Sequence, residues 1–538
     1  MFRPSHRVPD MLWYAWAAAG RQVSLPDGVA ALLEQALHVR PGAARTLAEE
    51  DVRISESALP EAAGEALASA VGADHVRADR HTRLLHAGGK STIDLLRRRA
   101  GEALDAPDAV VYPATHDEVL AVLRCCAELR VAVVPFGGGT SVVGGVEPLR
   151  GQLAAVVTLD LRRMDRIVDI DHESATATLE PGLKAPEAED LLAAHGLTLG
   201  HFPQSFEHAS IGGFAATRSS GQSSAGYGRF DDLVVAMHVA TPQGTLRLGR
   251  APASAAGPDL RELFIGSEGF LGVITQLTVQ VRHAPQMRLD EAWSFPDFAS
   301  ASAALRRLAQ AGSLPTVARL SDEAETAVNV ALGGEESGSA EVGGALAITC
   351  YEGDPAAVQT RREAACAILS DAGGTALGES AGRAWRRGRF EAPYLRDALL
   401  DAGALVETIE TATGWSNLPT LYAAVRHAIT TELARQGTAP LVVCHISHVY
   451  ATGASLYFTV VAAAAQDPVD QWLLAKRAAG DAIVACGATI SHHHGIGSDH
   501  LRWMTAEVGE LGIAVLRAVK DVVDPSGILN PGKLLPAP

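Results

Sequence analysis

The chain has 538 residues, room for three or four domains at roughly 150 residues each, and its 47% hydrophobic and 20% charged residues mark an ordinary globular protein. Its 45 basic and 62 acidic residues leave a formal charge of −17, which excludes sequence-independent binding to nucleic-acid phosphates but not a local basic pocket for a small anion. The six cysteines (Cys125, Cys126, Cys350, Cys366, Cys444, Cys486) lack CxxC spacing, which argues against a zinc ribbon or disulfide framework and for a cytoplasmic protein. No apolar run of signal-peptide type opens the chain, and none reaches the ~18 residues needed to span a bilayer, so any membrane contact is expected to be peripheral.

Residues 1–105 read as a mostly helical region with a Trp pair, Trp13 and Trp16, and Asp105-Ala-Pro-Asp108 marks its end. A short strand, Val110–Tyr112, follows. Thr115 and Glu118 then form a predicted capping box for a helix with Val119, Leu120, Val122, Leu123 and Cys126 on one stripe. Val131–Val134 is a buried strand, and Val156–Leu161, Arg166–Asp171 and Ala175–Glu180 read as further strands. Ala185–His195 is helical, and Asp232–Ala240 and Thr245–Leu248 form a hairpin around Pro242-Gln-Gly244. Residues 106–284 are therefore one α+β domain. A second α+β domain, with strands such as Leu346–Tyr351 and Leu441–Ile446 and a glycine-rich loop over 333–344, occupies 285–490. The tail, 491–538, holds a His cluster and a helix near Ala506–Val523.

The strand at 131–134 runs into Pro135, Phe136, Gly137, Gly138, Gly139, Thr140 and Ser141. Consecutive glycines allow positive φ and let successive amides converge on a pyrophosphate; taken alone, the run is equally a tight turn. It is not the G-x-G-x-x-G of a dinucleotide βαβ unit. Three more segments follow in order: Gln204, Ser205, Phe206, Glu207, His208, Ala209 and Ser210; Thr217, Arg218, Ser219 and Ser220; and Glu268, Gly269, Phe270, Leu271, Gly272, Val273 and Ile274. Together the four motifs resemble the FAD domain of the vanillyl-alcohol oxidase superfamily, the p-cresol methylhydroxylase (PCMH) type. The resemblance implies FAD held between two α+β subdomains, followed by a cap domain and a short helical C-terminal segment. Some members attach FAD through a His in the glycine loop; 137–141 has neither His nor Cys, which implies non-covalent FAD.

The far half decides the chemistry, because the superfamily hosts several reactions. Ser491, His492, His493, His494, Gly495, Ile496 and Gly497 set three imidazoles before a flexible turn. They can serve as acids, bases or hydrogen-bond donors, or as metal ligands or a solvated turn. This segment is similar to the hallmark of the alkyl-dihydroxyacetone-phosphate synthase family, flavoenzymes of ether-lipid synthesis. The same resemblance places the family's catalytic tyrosine at Tyr457, its phosphate-binding arginine at Arg396, and a supporting arginine at Arg319. Thr408 falls where a serine is expected. It implies exchange of the acyl group of acyl-dihydroxyacetone phosphate for a fatty alcohol through a flavin N5 adduct, catalysed by Tyr457, His492, His493 and His494. Neighbouring cationic imidazoles are expected to lower the Tyr457 pKa. Each residue has a plainer reading: Tyr457 as core, Arg396 as a surface ion pair, Arg319 as structural. The alternative is an FAD-dependent D-2-hydroxyacid dehydrogenase, whose metal-binding Glu and second His are replaced here by His493 and Tyr457; no metal is therefore expected, although a His-rich set can bind zinc. The implied partners are a lipid phosphate with a fatty alcohol, or a hydroxyacid; a homodimer is left open. A silent FAD-binding scaffold is a third reading, disfavoured by the retained Tyr457, Arg396 and His set.

Overall fold

Strand Val131–Phe136 is apolar along almost its whole length because it is buried along almost its whole length. The computed structural model describes residues 2–39, 47–102, 104–333 and 343–536. It pairs Val131–Phe136 in parallel with Ala155–Asp160, which runs parallel to Ala109–Val111 on its other side; Val76–Arg77 completes this four-stranded sheet. Helix His116–Leu129 covers the sheet with the predicted stripe of Val119, Leu120, Val122, Leu123 and Cys126. Its start departs from the expected capping box. Thr115 Oγ1 accepts from the Glu118 amide at 3.2 Å, but the Glu118 carboxylate reaches past the cap to the Ala114 amide at 2.7 Å.

A five-stranded antiparallel sheet follows, in the order Ile167–Asp171, Thr176–Leu179, Val273–Gln280, Val234–Thr241 and Gly244–Leu248. Its core gathers Leu179, Phe214, Phe230 and Leu277, together with Ile490, Trp503 and Ile513 from the far end of the chain. The third sheet has seven strands, in the order Thr375–Gly378, Met287–Phe295, Ala345–Gly353, Val317–Ser321, Leu441–Ile446, Gly453–Ala463 and Ala404–Gly414. Leu456, Phe458 and Val460 point from strand Gly453–Ala463 into the core shared with helices such as Leu418–Arg435 and Pro468–Ala485. Alternation along the strand turns Tyr457 and Thr459 to the opposite face. The fold is α+β, as expected. Most of the predicted 333–344 loop lies outside the described residues.

Helices Asp27–Leu37, Glu61–Val71, Arg80–Leu85 and Thr92–Ala100 carry the helical character of the first 105 residues. Residues 2–26 contain no helix and run over both halves of the molecule; Phe2 bridges to Ile167, and Asp397 accepts from the Trp16 amide at 2.7 Å. The tail is equally integrated. Val133 donates to Ile528 and accepts from Asn530, each at 2.8 Å, so residues 528–530 extend the first sheet. The tail helix, Met504–Val523, breaks at Gly509 (φ 74°). Near its end Lys520 donates to the carbonyls of Phe270 (2.6 Å) and Leu529 (2.7 Å) and pairs with Asp524 (2.7 Å), itself buried. Removing one partner of a buried pair strands the other charge, so Lys520→Met is expected to lower stability by about 3–5 kcal/mol in chemical unfolding. A change below about 1 kcal/mol would show that the tail is not anchored there.

Candidate active site

The glycine loop emerges from strand Val131–Phe136 beneath a cavity of about 380 Å³. Pro135, Phe136, Gly137, Gly138, Gly139, Thr140 and Ser141 all line it, as do Gln204, Ser205, Ala209, Ser210, Thr217, Ser219, Ser220, Glu268, Gly269, Gly272, Val273 and Ile274. A Cβ on Gly138 would collide with the His208 carbonyl, so this glycine is required by the close approach of the 204–210 segment as well as by any ligand.

Seven of the expected site residues do not line the cavity. Phe206 stacks on Phe390 at 5.2 Å, Glu207 accepts from the Tyr394 hydroxyl at 2.8 Å, and the buried His208 sets its edge against Trp16. Arg218 is held by Asp231 and Glu262, and Phe270 and Leu271 belong to the hydrophobic core. His492 stands behind His493. In each case the side chain alternates away from a wall that its neighbours form.

The opposite wall comes from the seven-stranded sheet and its connections. Tyr457, His493, His494, Arg396, Arg319 and Thr408 line it, joined by Trp16, Glu325, Glu407, His445, Ser447 and His448. Register explains the grouping. Tyr457 lies opposite Glu410 on one neighbouring strand and His445 on the other. Its ring is stacked between His445 (4.8 Å, 17°) and His493 (6.0 Å, 19°), with His494 edge-on at 5.5 Å.

Glu410 organises the three imidazoles. It is buried and accepts from the amides of His492 (2.8 Å), His493 (3.2 Å) and His494 (2.9 Å), and from the Ser491 hydroxyl (2.6 Å). Burial opposes its charge, but His493 beside it holds its carboxyl well below the usual range. Glu268 grips the same loop from below, accepting from the amides of Ile496 (2.7 Å) and Gly497 (2.9 Å).

Two electrostatic features correct the sequence reading. Burial pushes the Tyr457 phenol up to about 12, reinforced by Glu407 and Glu410 and opposed by the Thr408 hydrogen bond and by Arg396. Burial also pushes His494 down to about 3, and His492 and His448 well below the ordinary imidazole value. At neutral pH these three rings are uncharged, so they do not lower the phenol pKa as expected. Position alone cannot supply that effect in a desolvated pocket.

Arg396 donates through Nη1 to the Lys90 carbonyl at 2.8 Å, while its buried Nε and Nη2 have no protein partner. Gln222, also on the wall, leaves its Oε1 without a partner. Buried unpaired donors and acceptors at a cavity wall call for a polar ligand. Arg319, by contrast, is engaged with Glu325 (2.9 Å) and His445 (3.0 Å). His448, His492 and His493 each offer a nitrogen, all within 4.8 Å of one another, close enough to hold a metal ion. Trp16, Glu325, Glu407, His445 and His448 were not expected at the site; Trp16 stood out only as one of a Trp pair, and the two histidines only as neighbours in the Cys444–Tyr457 segment.

The chain that builds this glycine-floored cavity is similar to known proteins. Residues 107–249 match the FAD binding domain, and residues 284–534 match the C-terminal domain of FAD linked oxidases. The alkyldihydroxyacetonephosphate synthase of Dictyostelium discoideum is 35% identical over 483 residues, covering 86% of this chain and 79% of that protein. The chain belongs to the alkyldihydroxyacetonephosphate synthase family. The Trypanosoma brucei brucei synthase is 32% identical over 521 residues, covering 93% of this chain and 85% of its own. A solved structure of an alkyldihydroxyacetonephosphate synthase superposes with a TM-score of 0.85 at 29% identity, covering 98% of this chain and 99% of that one. A mitochondrial protein of Danio rerio described as a probable D-lactate dehydrogenase is a more distant relative, 29% identical over 446 residues. The family's cofactor, FAD, is the cofactor here, and the glycine floor and the unpartnered Gln222 Oε1 fit it.

Burial raises the Glu268 carboxyl from 4.5 to about 7, against the pull of the two amides and Lys533. The folded state therefore holds this proton more tightly than the unfolded state, and the associated stability is complete below about pH 4.5 and lost as pH rises through 7. Thermal unfolding followed from pH 4.5 to 8 should show a fall that Glu268→Gln flattens. Parallel profiles for the two proteins would refute this role.

Proposed function

We propose that this protein is a flavin-dependent transferase that exchanges the acyl group of acyl-dihydroxyacetone phosphate for a fatty alcohol, a step of ether-lipid synthesis. The observation that carries the reading is Arg396, whose unpaired, buried Nε and Nη2 lie on the cavity wall shared with Tyr457 and the imidazoles. A guanidinium so placed can bind a phosphate through two charge-assisted bonds. FAD, held by 135–141, 204–205, 209–210, 217, 219–220 and 268–269 with 272–274, supplies the reactive isoalloxazine when bound.

The protein groups divide the remaining work. Tyr457, kept protonated by burial, donates a hydrogen bond to the substrate and surrenders its proton only when charge develops there. The neutral His494 can accept a proton from the incoming alcohol, as can His493 beside it. Trp16, Pro203, Ala392 and Pro393 supply apolar wall for an alkyl chain and help to exclude water. Thr408 positions Tyr457 through its hydroxyl, and Arg319 supports His445. The division into 1–105, 106–284, 285–490 and 491–538 belongs to this reading. So does a cytoplasmic enzyme in peripheral contact with membranes: all six cysteines are free thiols, which supports a reducing compartment, and the substrates are lipids.

The test supplies the purified yellow protein with acyl-dihydroxyacetone phosphate and hexadecanol without an electron acceptor. Ether product is expected; reduction of a dye by D-2-hydroxyacids without ether formation would replace this reading with the dehydrogenase. Tyr457→Phe should lower turnover by on the order of 10²-fold or more with the flavin spectrum unchanged. Arg396→Ala should lower kcat/KM by about 10²-fold, from lost charge-assisted bonds, and inorganic phosphate should no longer inhibit it.

A further inference from the structure

Behind the imidazole that faces the cavity lies a row of hydrogen-bonded groups. His493 Nδ1 is 3.0 Å from His492 Nδ1, and His492 Nε2 is 2.6 Å from the Tyr450 hydroxyl. His492 is buried and off the cavity wall. Tyr450 is half-buried, in the turn between strands Leu441–Ile446 and Gly453–Ala463, beside the exposed Ala451 and Thr452, and its hydroxyl also meets the Ser220 side chain, with Arg229 nearby. His448 stacks on His492 at 4.9 Å (19°), and its Nδ1 is engaged by the hydroxyls of Ser220 (2.9 Å) and Ser224 (2.8 Å), so the ring plane of His492 is packed in place.

Two imidazole nitrogens at hydrogen-bond distance must be one donor and one acceptor. The row therefore has two neutral arrangements. In one, Tyr450 donates to His492 Nε2, His492 donates from Nδ1 to His493 Nδ1, and His493 carries its proton on Nε2. In the other, His493 donates from Nδ1, to His492 or to Glu410 at 3.4 Å, His492 donates from Nε2 to the Tyr450 oxygen, and His493 Nε2 is a lone pair. Passing from the second arrangement to the first takes one proton up at His493 Nε2 and releases one from Tyr450. The ring that meets the substrate is thus an acid or a base according to the state of a tyrosine at the turn.

We propose that Tyr450 and His492 are positioning residues of a proton relay that connects His493, at the cavity, with solvent. The reaction it serves rests on the transferase reading. There the alcohol O–H bond breaks, its oxygen replaces the acyl oxygen on carbon, and the fatty acid departs as a carboxylate at neutral pH. One proton per turnover must reach solvent, and the relay carries it without charging a desolvated imidazole for longer than the transfer.

The test uses the FAD-loaded holoenzyme with Tyr450→Phe and His492→Gln. Both are expected to keep the flavin spectrum and the KM of each substrate, to lose on the order of 10- to 100-fold in kcat, and to show a larger effect of D2O on kcat. Added imidazole should restore part of the Tyr450→Phe rate. Imidazole 15N NMR of the resting holoenzyme needs no substrate: wild type should show His492 averaged between tautomers and Tyr450→Phe should show one. Unchanged kcat, loss of flavin in both variants, a single tautomer in wild type, or a stoichiometric metal ion on these nitrogens would each overturn the relay. Missing ether product with an averaged His492 would fail the transferase reading alone.

Discussion

A buried carboxylate is tolerable only if its lone pairs are filled, and in this protein that requirement builds the site. Glu410 collects three consecutive amides and a hydroxyl from Ser491–His494, which bends the segment into a turn and aims its imidazoles. The same residue lies opposite Tyr457 in the sheet, so phenol and imidazoles share one anchor. Two residues after His494, Glu268 repeats the device from the glycine-loop side by accepting from Ile496 and Gly497. The His-rich loop is thereby strung between carboxylates of two layers, and its geometry reports on both.

The electrostatics follow from this enclosure. A chain with a net charge of −17 keeps a buried guanidinium and neutral imidazoles at its centre, so global charge says little about local recognition. Desolvation outweighs each neighbouring charge and hydrogen bond on Tyr457, His492 and His494. The consequence is a phenol that keeps its proton and singly protonated rings, so these groups carry no standing charge at neutral pH.

Elements whose signal is local were legible in the sequence. The glycine run after a buried strand, the stripe of helix His116–Leu129, the hairpin at Pro242–Gly244 and the His cluster all depend on spacing within a few residues. Long-range requirements were not. Trp16 reaches the cavity because Asp397, far along the chain, accepts its amide. Glu410 is unremarkable in a strand sequence until the turn it holds is folded against it. Phe206, Glu207 and His208 sat inside a motif that reads as continuous, yet local turns direct them to Phe390, Tyr394 and Trp16 instead. The predicted cationic imidazoles failed for the same reason: a sequence gives neighbours, but not their dehydration.

The strand that delivers the glycine loop is completed by residues 528–530, and Asn530 donates to the carbonyls of Gly145, 385 residues earlier, and of Glu268. During synthesis on the ribosome the cradle therefore lacks this edge until residues 528–530 have left the exit tunnel. A polypeptide cut short before Asn530 therefore folds its glycine loop without that edge and without the two bonds that Asn530 gives to Gly145 and Glu268.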